Sequence, residues 1–218
     1  MAIFDKIQPA VLATRVIASV DPVYKKKLGL KPHHNSIGII TADCDDVTYC
    51  ALDEATKAAN VDVVYAKSFY AGAGYSSGPT SGEVIGIIAA TNPADVIAGL
   101  ERVKSFVEFE AAFQCADDSG ELAYFAHLVS STGSFLSEEA GVKQGEALAY
   151  LIAPPLEAMY ALDAALKAAD VKLVNLFAPP SETNFGGGHL TGSQAACRAA
   201  CDAFEAAVIE VARCPIAT

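Results

Sequence analysis

The feature that most constrains this chain is a repeat of itself. When the sequence is slid by 110 residues, Ala51-Leu52-Asp53-Glu54-Ala55-Thr56-Lys57-Ala58-Ala59-Asn60-Val61 lies over Ala161-Leu162-Asp163-Ala164-Ala165-Leu166-Lys167-Ala168-Ala169-Asp170-Val171, with eight of eleven positions identical. The register continues outside the segment, with Val64 over Val174, Gly82 over Gly192 and Leu12-Ala13 over Leu122-Ala123. Alanine richness alone does not keep Leu, Asp, Lys and Val in step, so the 218 residues read as two copies of one domain, 1–110 and 111–218.

Each copy carries the same order of elements. In the first, Arg15 to Val20 and Ser36 to Thr41 are short β-branched runs. A second apolar run follows at Val47 to Leu52, then a short helix from Asp53 to Ala59 and a strand at Val61 to Lys67. A glycine-rich loop leads to a strand at Glu83 to Ala89 and a helix that Asn92 caps, with Pro93 at its first position. The second copy repeats this with a strand at Ala147 to Ala153, a helix at Asp163 to Ala169 and a strand at Val171 to Phe177. A second glycine-rich loop, Pro179 to Gly192, precedes a helix from about Ser193 to Arg213 that Pro215 closes. Ala196, Ala200, Phe204, Ala207, Val208 and Val211 form its core-facing stripe. The fold class expected is α+β, present twice.

Charge removes some function classes. Fifteen Lys and Arg against 26 Asp and Glu give a net charge of −11, a field that repels nucleic-acid phosphates and anionic membrane surfaces. No run approaches the roughly 18 apolar residues of a membrane helix, and the start of the chain lacks a signal-peptide pattern, so a cytoplasmic protein is expected. The six cysteines form no Cys-x-x-Cys pair and no zinc-spaced cluster. Cys197 and Cys201 share a helical face and read as small core residues. No metal and no cofactor is expected.

Catalytic signatures are missing from the sequence. Gly72, Gly74 and Gly78 miss the dinucleotide fingerprint by one residue and open no helix. There is no Walker lysine, nucleophile elbow or zinc-protease helix, and no histidine has an identified acid or nucleophile partner, so no catalytic residue is assigned. His33 and His34 lie in a polar connector, His127 reads as a satisfied core histidine, and His189 ends a glycine run. The sharper chemical candidate is Asp45, Asp46 and Glu83: three carboxylates that surround a small ammonium group if their strands are neighbours. The plain alternative leaves Asp45-Asp46 in a solvated turn and Glu83 at a strand edge. A small-amine-binding enzyme or sensor built on that cleft is the competing functional class.

The segments Asp53-Glu-Ala-Thr-Lys57-Ala-Ala-Asn-Val61 and Asp163-Ala-Ala-Leu-Lys167-Ala-Ala-Asp-Val171 resemble the Asp-x-x-x-Lys-Ala-Ala-x-Val signature of bacterial microcompartment (BMC) shell domains. End to end, the chain resembles the tandem-domain shell proteins of ethanolamine-utilisation microcompartments. The likeness includes Arg15-Val-Ile-Ala-Ser-Val20, Asp45-Asp46-Val-Thr-Tyr49, Ser81-Gly-Glu83-Val84, Ala153-Pro-Pro-Leu-Glu157, Pro179-Pro-Ser-Glu-Thr183-Asn184 and Leu190-Thr-Gly-Ser-Gln-Ala-Ala-Cys197.

The resemblance implies two circularly permuted shell domains, a flat pseudohexameric homotrimer, and a place in the microcompartment shell beside other shell proteins. It implies Lys57 and Lys167 as lateral contacts. It further implies a central pore for metabolites or bulky cofactors, gated by loops that include Tyr70, Gly72, Gly74, Tyr75, Asn184, Phe185 and Gly187. Last, it implies an acidic opening within each subunit that binds ethanolamine through Asp45, Asp46 and Glu83, with Phe113 and Thr183 beside them. Thr56 and Leu166 stand where single-domain shell proteins usually carry Met, and Lys172 where an acid is common.

Overall fold

The computed structural model describes residues 2–69 and 78–216. Its strands are β1 (Lys6–Ile7), β2 (Val11–Ile17), β3 (Ser36–Ala42), β4 (Asp62–Ser68), β5 (Val84–Ala90), β6 (Phe113–Cys115), β7 (Ala123–Val129), β8 (Ala147–Ala153), β9 (Val171–Phe177) and β10 (Gly186–Gly192). Its helices, numbered along the chain, are α1 (Pro22–Lys27), α2 (Asp45–Ala58), α3 (Pro93–Phe109), α4 (Ser134–Ala140), α5 (Pro155–Ala168) and α6 (Gln194–Arg213). They form two compact units: one of residues 9–111 with 133–136, the other of residues 1–8, 112–132 and 137–218.

In the first unit the sheet order is β2-β3-β5-β4, antiparallel throughout. β3 and β5 run through its centre and bury nearly every residue, which is why both read as unbroken apolar runs rather than alternating ones. Helices α2 and α3 pack on each other and on the sheet. Residues of alternate parity, Ile37, Ile87 and Ala89, join Val20 and Leu30 in a smaller cluster. Asn92 caps α3 by accepting from the Asp95 N–H at 3.0 Å, and Pro93 fills the first position, as its sequence predicts.

The second unit repeats the four-strand order as β7-β8-β10-β9 and extends it at one edge with β6 and β1. Its core gathers Tyr124, Ala149, Leu151 and Leu190 from the sheet, Ala161 and Leu162 from α5, and Cys197, Cys201 and Phe204 from α6. The two cysteines are thus buried filling. Ser193 caps α6 through the Ala196 N–H, 3.1 Å away.

Three sequence expectations change. Val47 to Leu52 is not a separate run before a short helix: α2 is one helix from Asp45, because Val47, Cys50, Ala51, Leu52 and Ala55 fall on its buried face. The segment Pro179 to Gly192 is not all loop. Gly186–Gly192 is strand β10, paired along its whole length with β8, so only 178–185 connects. Glycine there serves close approach of neighbouring backbone rather than freedom. Consequently Gly82, which precedes β5, is not the counterpart of Gly192, which ends β10. The β4-β5 connector is longer than the β9-β10 connector, and the 110-residue register slips across that difference.

Candidate functional site

The acidic group assembles where β3 hands over to α2. Asp43 receives the Ala10 N–H at 2.7 Å, Cys44 is the helix N-cap without a side-chain capping bond, and Asp45 and Asp46 occupy the first turn. Carboxylates belong there, since the first-turn N–H groups and the helix dipole favour negative charge. Asp45 Oδ1 accepts the Asp46 N–H at 2.9 Å. Both acids are buried, at 9% and 8% exposure, so the solvated-turn alternative does not describe them.

Glu83 joins them through a single backbone contact. Its N–H donates to the Ala42 carbonyl at 2.8 Å, bringing the start of β5 against the end of β3. Gly82 makes this approach possible: its φ is +64°, and a Cβ would lie 2.0 Å from the Ala42 oxygen. Burial, then the charges of Asp45 and Asp43, push the Glu83 carboxyl above its ordinary value. The structure therefore brings Asp45 and Glu83 within electrostatic reach and adds Asp43, which sequence reasoning passed over. Its signal was present: it opens the same Asp-Cys-Asp-Asp run. Burial, followed by Asp46, also holds the Cys44 thiol well above its usual range, so it stays protonated.

The remaining expected residues are carried by other segments of the chain. Phe113 and Thr183 belong to the other unit. Phe113 stacks on Phe125 with centroids 5.2 Å apart and meets Phe185 edge-on at 5.9 Å. Thr183 Oγ1 accepts the Phe185 N–H at 3.3 Å. Asn184 is exposed, Phe185 half-buried, and Gly187 lies inside β10. Tyr70, Gly72, Gly74 and Tyr75 lie outside the described residues.

The two signature lysines differ in setting. Lys57 pairs with Glu54 and lies 3.7 Å from Asp53, which is 1% exposed and accepts the N–H groups of Gly133 and Leu136 at 2.6 and 2.8 Å. Lys167 and Asp163 pair at 2.5 Å on an open surface, with side chains 75% and 62% exposed.

The histidines separate by environment. His34, in the polar connector, is buried with its Nε2 3.0 Å from Asp62, whose carboxylate also holds Lys31 at 2.5 Å. Among the described residues, His33, His34 and Asp62 are the one trio with ligand atoms close enough for a cation. His127, half-buried, stacks on Phe125 at 5.3 Å. His189 ends the glycine run, and that run is strand. It sits inside β10 between Tyr150 and Phe177, its Nε2 without a hydrogen-bond partner, and burial lowers its pKa to about 4. No helix among the described residues is long and apolar enough to cross a membrane.

Comparison with known proteins adds the family. A model described as the BMC domain matches residues 36–116. The bacterial microcompartment shell protein EutL of Clostridium perfringens (strain 13 / Type A) is 60% identical over 212 residues, covering 97% of this chain and 98% of that protein. The shell protein EutL of Escherichia coli (strain K12) is 55% identical over 216 residues, 99% of each. Among solved structures, the ethanolamine utilization protein EutL from Leptotrichia buccalis C-1013-b superposes with a TM-score of 0.97 at 60% identity over 100% of both chains.

Proposed function

This chain belongs to the EutL family of bacterial microcompartment shell proteins, and from that membership we propose that it is a structural, non-catalytic tile that binds a small protonated amine and gates a pore. The fold is a tandem pair of α+β shell domains, and the protein's place is the microcompartment shell. The copies are residues 1–110 and 111–218. Three chains close into a pseudohexameric ring, because a shell domain has edges that one copy leaves uncovered and head-to-tail contacts of fixed rotation close rings. Other shell proteins abut the ring, with Lys57 and Lys167 at lateral contacts.

The single observation that carries the amine reading is the crowding of carboxylates at the β3-α2 junction. Asp45 and Asp46 are buried, and Glu83 is held protonated to a higher pH than an ordinary glutamate by burial and by Asp45 and Asp43. An ammonium group relieves that repulsion and gains charge-assisted hydrogen bonds. Ethanolamine, a cation of that size in the relatives' named pathway, is the ligand proposed. Gating is assigned to the segment around Tyr70, Gly72, Gly74 and Tyr75 together with Asn184 and Phe185, with Gly187 as the point where the second loop joins its strand. Metabolites or bulky cofactors are the cargo. The amine biases the gate only to the extent that it binds one gate state better than the other.

Calorimetry tests this. Ethanolamine binds the wild-type protein, and Asp45→Ala combined with Glu83→Ala abolishes the heat while far-UV dichroism and oligomer size are unchanged. Undiminished affinity in the double variant removes the site, and turnover of ethanolamine removes the non-catalytic reading.

A further inference from the structure

Three metal-ligating side chains meet at one end of the first unit's sheet, and two separate stretches of chain bring them there. The first is the connector between α1 and β3. The Val20 N–H donates to the Asn35 carbonyl and the Asn35 N–H to the Ala90 carbonyl, each at 2.9 Å, so the connector ends against the last residue of β5. Lys25 Nζ donates to the Pro32 carbonyl at 2.7 Å and to Asn35 Oδ1 at 3.2 Å, which tethers the connector to α1. The His34 N–H closes a turn on the Lys31 carbonyl at 3.0 Å. The second stretch is the start of β4, where Asp62 pairs with Ala89, the neighbour of Ala90 on β5. His33 and His34 therefore stand beside Asp62, although 28 residues separate it from His34.

The set has the chemistry of a transition-metal site rather than of a calcium or magnesium site. Two imidazoles and one carboxylate suit zinc, copper and nickel, whereas the hard cations select oxygen ligands. The three ligand atoms all lie within 4.8 Å of one another. Ligands on one tetrahedral zinc stand about 3.3 Å apart. His34 Nε2 and Asp62 Oδ2, at 3.0 Å, are already that close. Only His33 has to swing inward. It is exposed, it follows directly on the connector's proline, and its ring centroid lies 4.4 Å from that of His34. Burial fixes the His34 ring at 1% exposure, while the exposed His33 leaves an open side for the ion to enter.

A cation already sits on the carboxylate. Lys31 Nζ bonds the same Asp62 Oδ2 at 2.5 Å, so two donors converge on one oxygen where a dication would serve alone. The Lys31 side chain is 61% exposed, and such a surface pair separates into water at little cost. The imidazole makes its own adjustment. His34 Nδ1 accepts the Lys31 N–H at 3.3 Å, so in the neutral ring the proton is on Nε2 and is donated to Asp62. Metal on Nε2 moves the ring proton to Nδ1 and ends the contact with the Lys31 N–H, which is the longer of the ring's two hydrogen bonds.

We infer that His33, His34 and Asp62 form a binding site for one divalent transition-metal ion of the zinc class, with Lys31 as the competing cation that the metal displaces. The ligands are His34 Nε2, one Asp62 oxygen and one imidazole nitrogen of His33, and water completes the tetrahedron on the open side. The ion ties the connector to β4 and stabilises the folded chain by mass action. All four residues belong to the first unit, so the site depends on neither the amine cluster nor the association of chains.

The test is calorimetric titration of the untagged full chain with zinc chloride, with the visible absorption of bound cobalt(II) as a second readout of tetrahedral geometry. Wild type binds one ion per chain. His33→Ala, at an exposed position, keeps the far-UV dichroism of the wild type and weakens zinc about tenfold or more, and Asp62→Asn does the same. Lys31→Ala tightens zinc about threefold or more, because the competitor is gone while the ligands remain. Wild-type protein that takes up no zinc at millimolar concentration overturns the proposal. Wild-type affinity in either His33→Ala or Asp62→Asn places the ion on other residues and overturns the site. Unchanged or weaker binding in Lys31→Ala overturns the displacement of Lys31 on which the geometry rests.

Discussion

Replacing Asp53 and Asp163 by alanine, one at a time, sets identical chemistry against different surroundings. Asp53 accepts two buried backbone N–H groups at 2.6 and 2.8 Å and is 1% exposed. Its removal strands both donors, each worth about 1–3 kcal/mol. Part of this is returned because a desolvated carboxylate is no longer buried, and the net loss expected is about 3 kcal/mol. Asp163 bonds only to the side chain of exposed Lys167 among its described contacts, and Asp163→Ala leaves the unfolding midpoint at the wild-type value. The assay is urea unfolding at neutral pH and one fixed protein concentration, since association shifts apparent stability. Asp53→Asn keeps one acceptor oxygen and falls between wild type and alanine. Burial raises the Asp53 pKa despite the N–H groups and Lys57, so the folded state binds that proton more readily than the unfolded one. Stability is then lost as pH climbs from the ordinary carboxylate value through the raised one, and Asp53→Asn flattens that slope. Equal costs for the two alanine variants, or no cost at Asp53, would refute the reasoning.

Other perturbations separate the remaining claims. The His189 pKa lies at about 4 against an ordinary 6.5. Stability present above pH 6.5 is therefore lost as pH falls toward 4, by about 3 kcal/mol from the pKa difference, and His189→Phe flattens this in pH-dependent unfolding. A steeper acid loss in that variant would contradict the assignment. Ethanolamine affinity falls as pH drops through the Glu83 pKa, which burial, Asp45 and Asp43 raise from its ordinary value, in calorimetry across a pH series. Affinity constant down to the usual range argues that Glu83 is not a ligand. Gly82→Ala forces a side chain against the Ala42 carbonyl, lowers stability by about 1–2 kcal/mol and weakens amine binding by displacing Glu83. Asn92→Ala removes the α3 cap and costs about 1 kcal/mol in thermal unfolding, without effect on amine binding.

Much of the fold was legible because local chemistry and tertiary packing agree. Val171 to Phe177 is strand over the very residues its β-branched run marks, and α6 begins at a serine cap and ends before Pro215. Legibility failed where the two disagree. The Gly186-Gly187-Gly188 run has loop composition, yet its backbone is fully paired with β8 because glycine also suits strands that neighbours approach closely. Val47 to Leu52 has strand composition, yet it continues a helix whose first turn carries two acids. The acidic candidates were legible as residue types, but not that Asp43 joins them or that Asp45 and Asp46 are buried, which depends on strands distant in sequence meeting at Gly82.

The sequence by itself determined that this is one domain written twice, with an Asp-x-x-x-Lys helix in each copy and an Asp-Cys-Asp-Asp run in the first alone, because repetition, capping and motif are properties of residue order. Only the tertiary structure decided what each copy's aspartate does. Asp53 and Asp163 are indistinguishable in the repeat, but one is enclosed by a turn that returns about 80 residues later and the other faces open surface. The reason is physical: a carboxylate's pKa, partners and cost are set by what is packed within a few ångströms of it, and that neighbourhood is assembled by chain segments that no local pattern brings together.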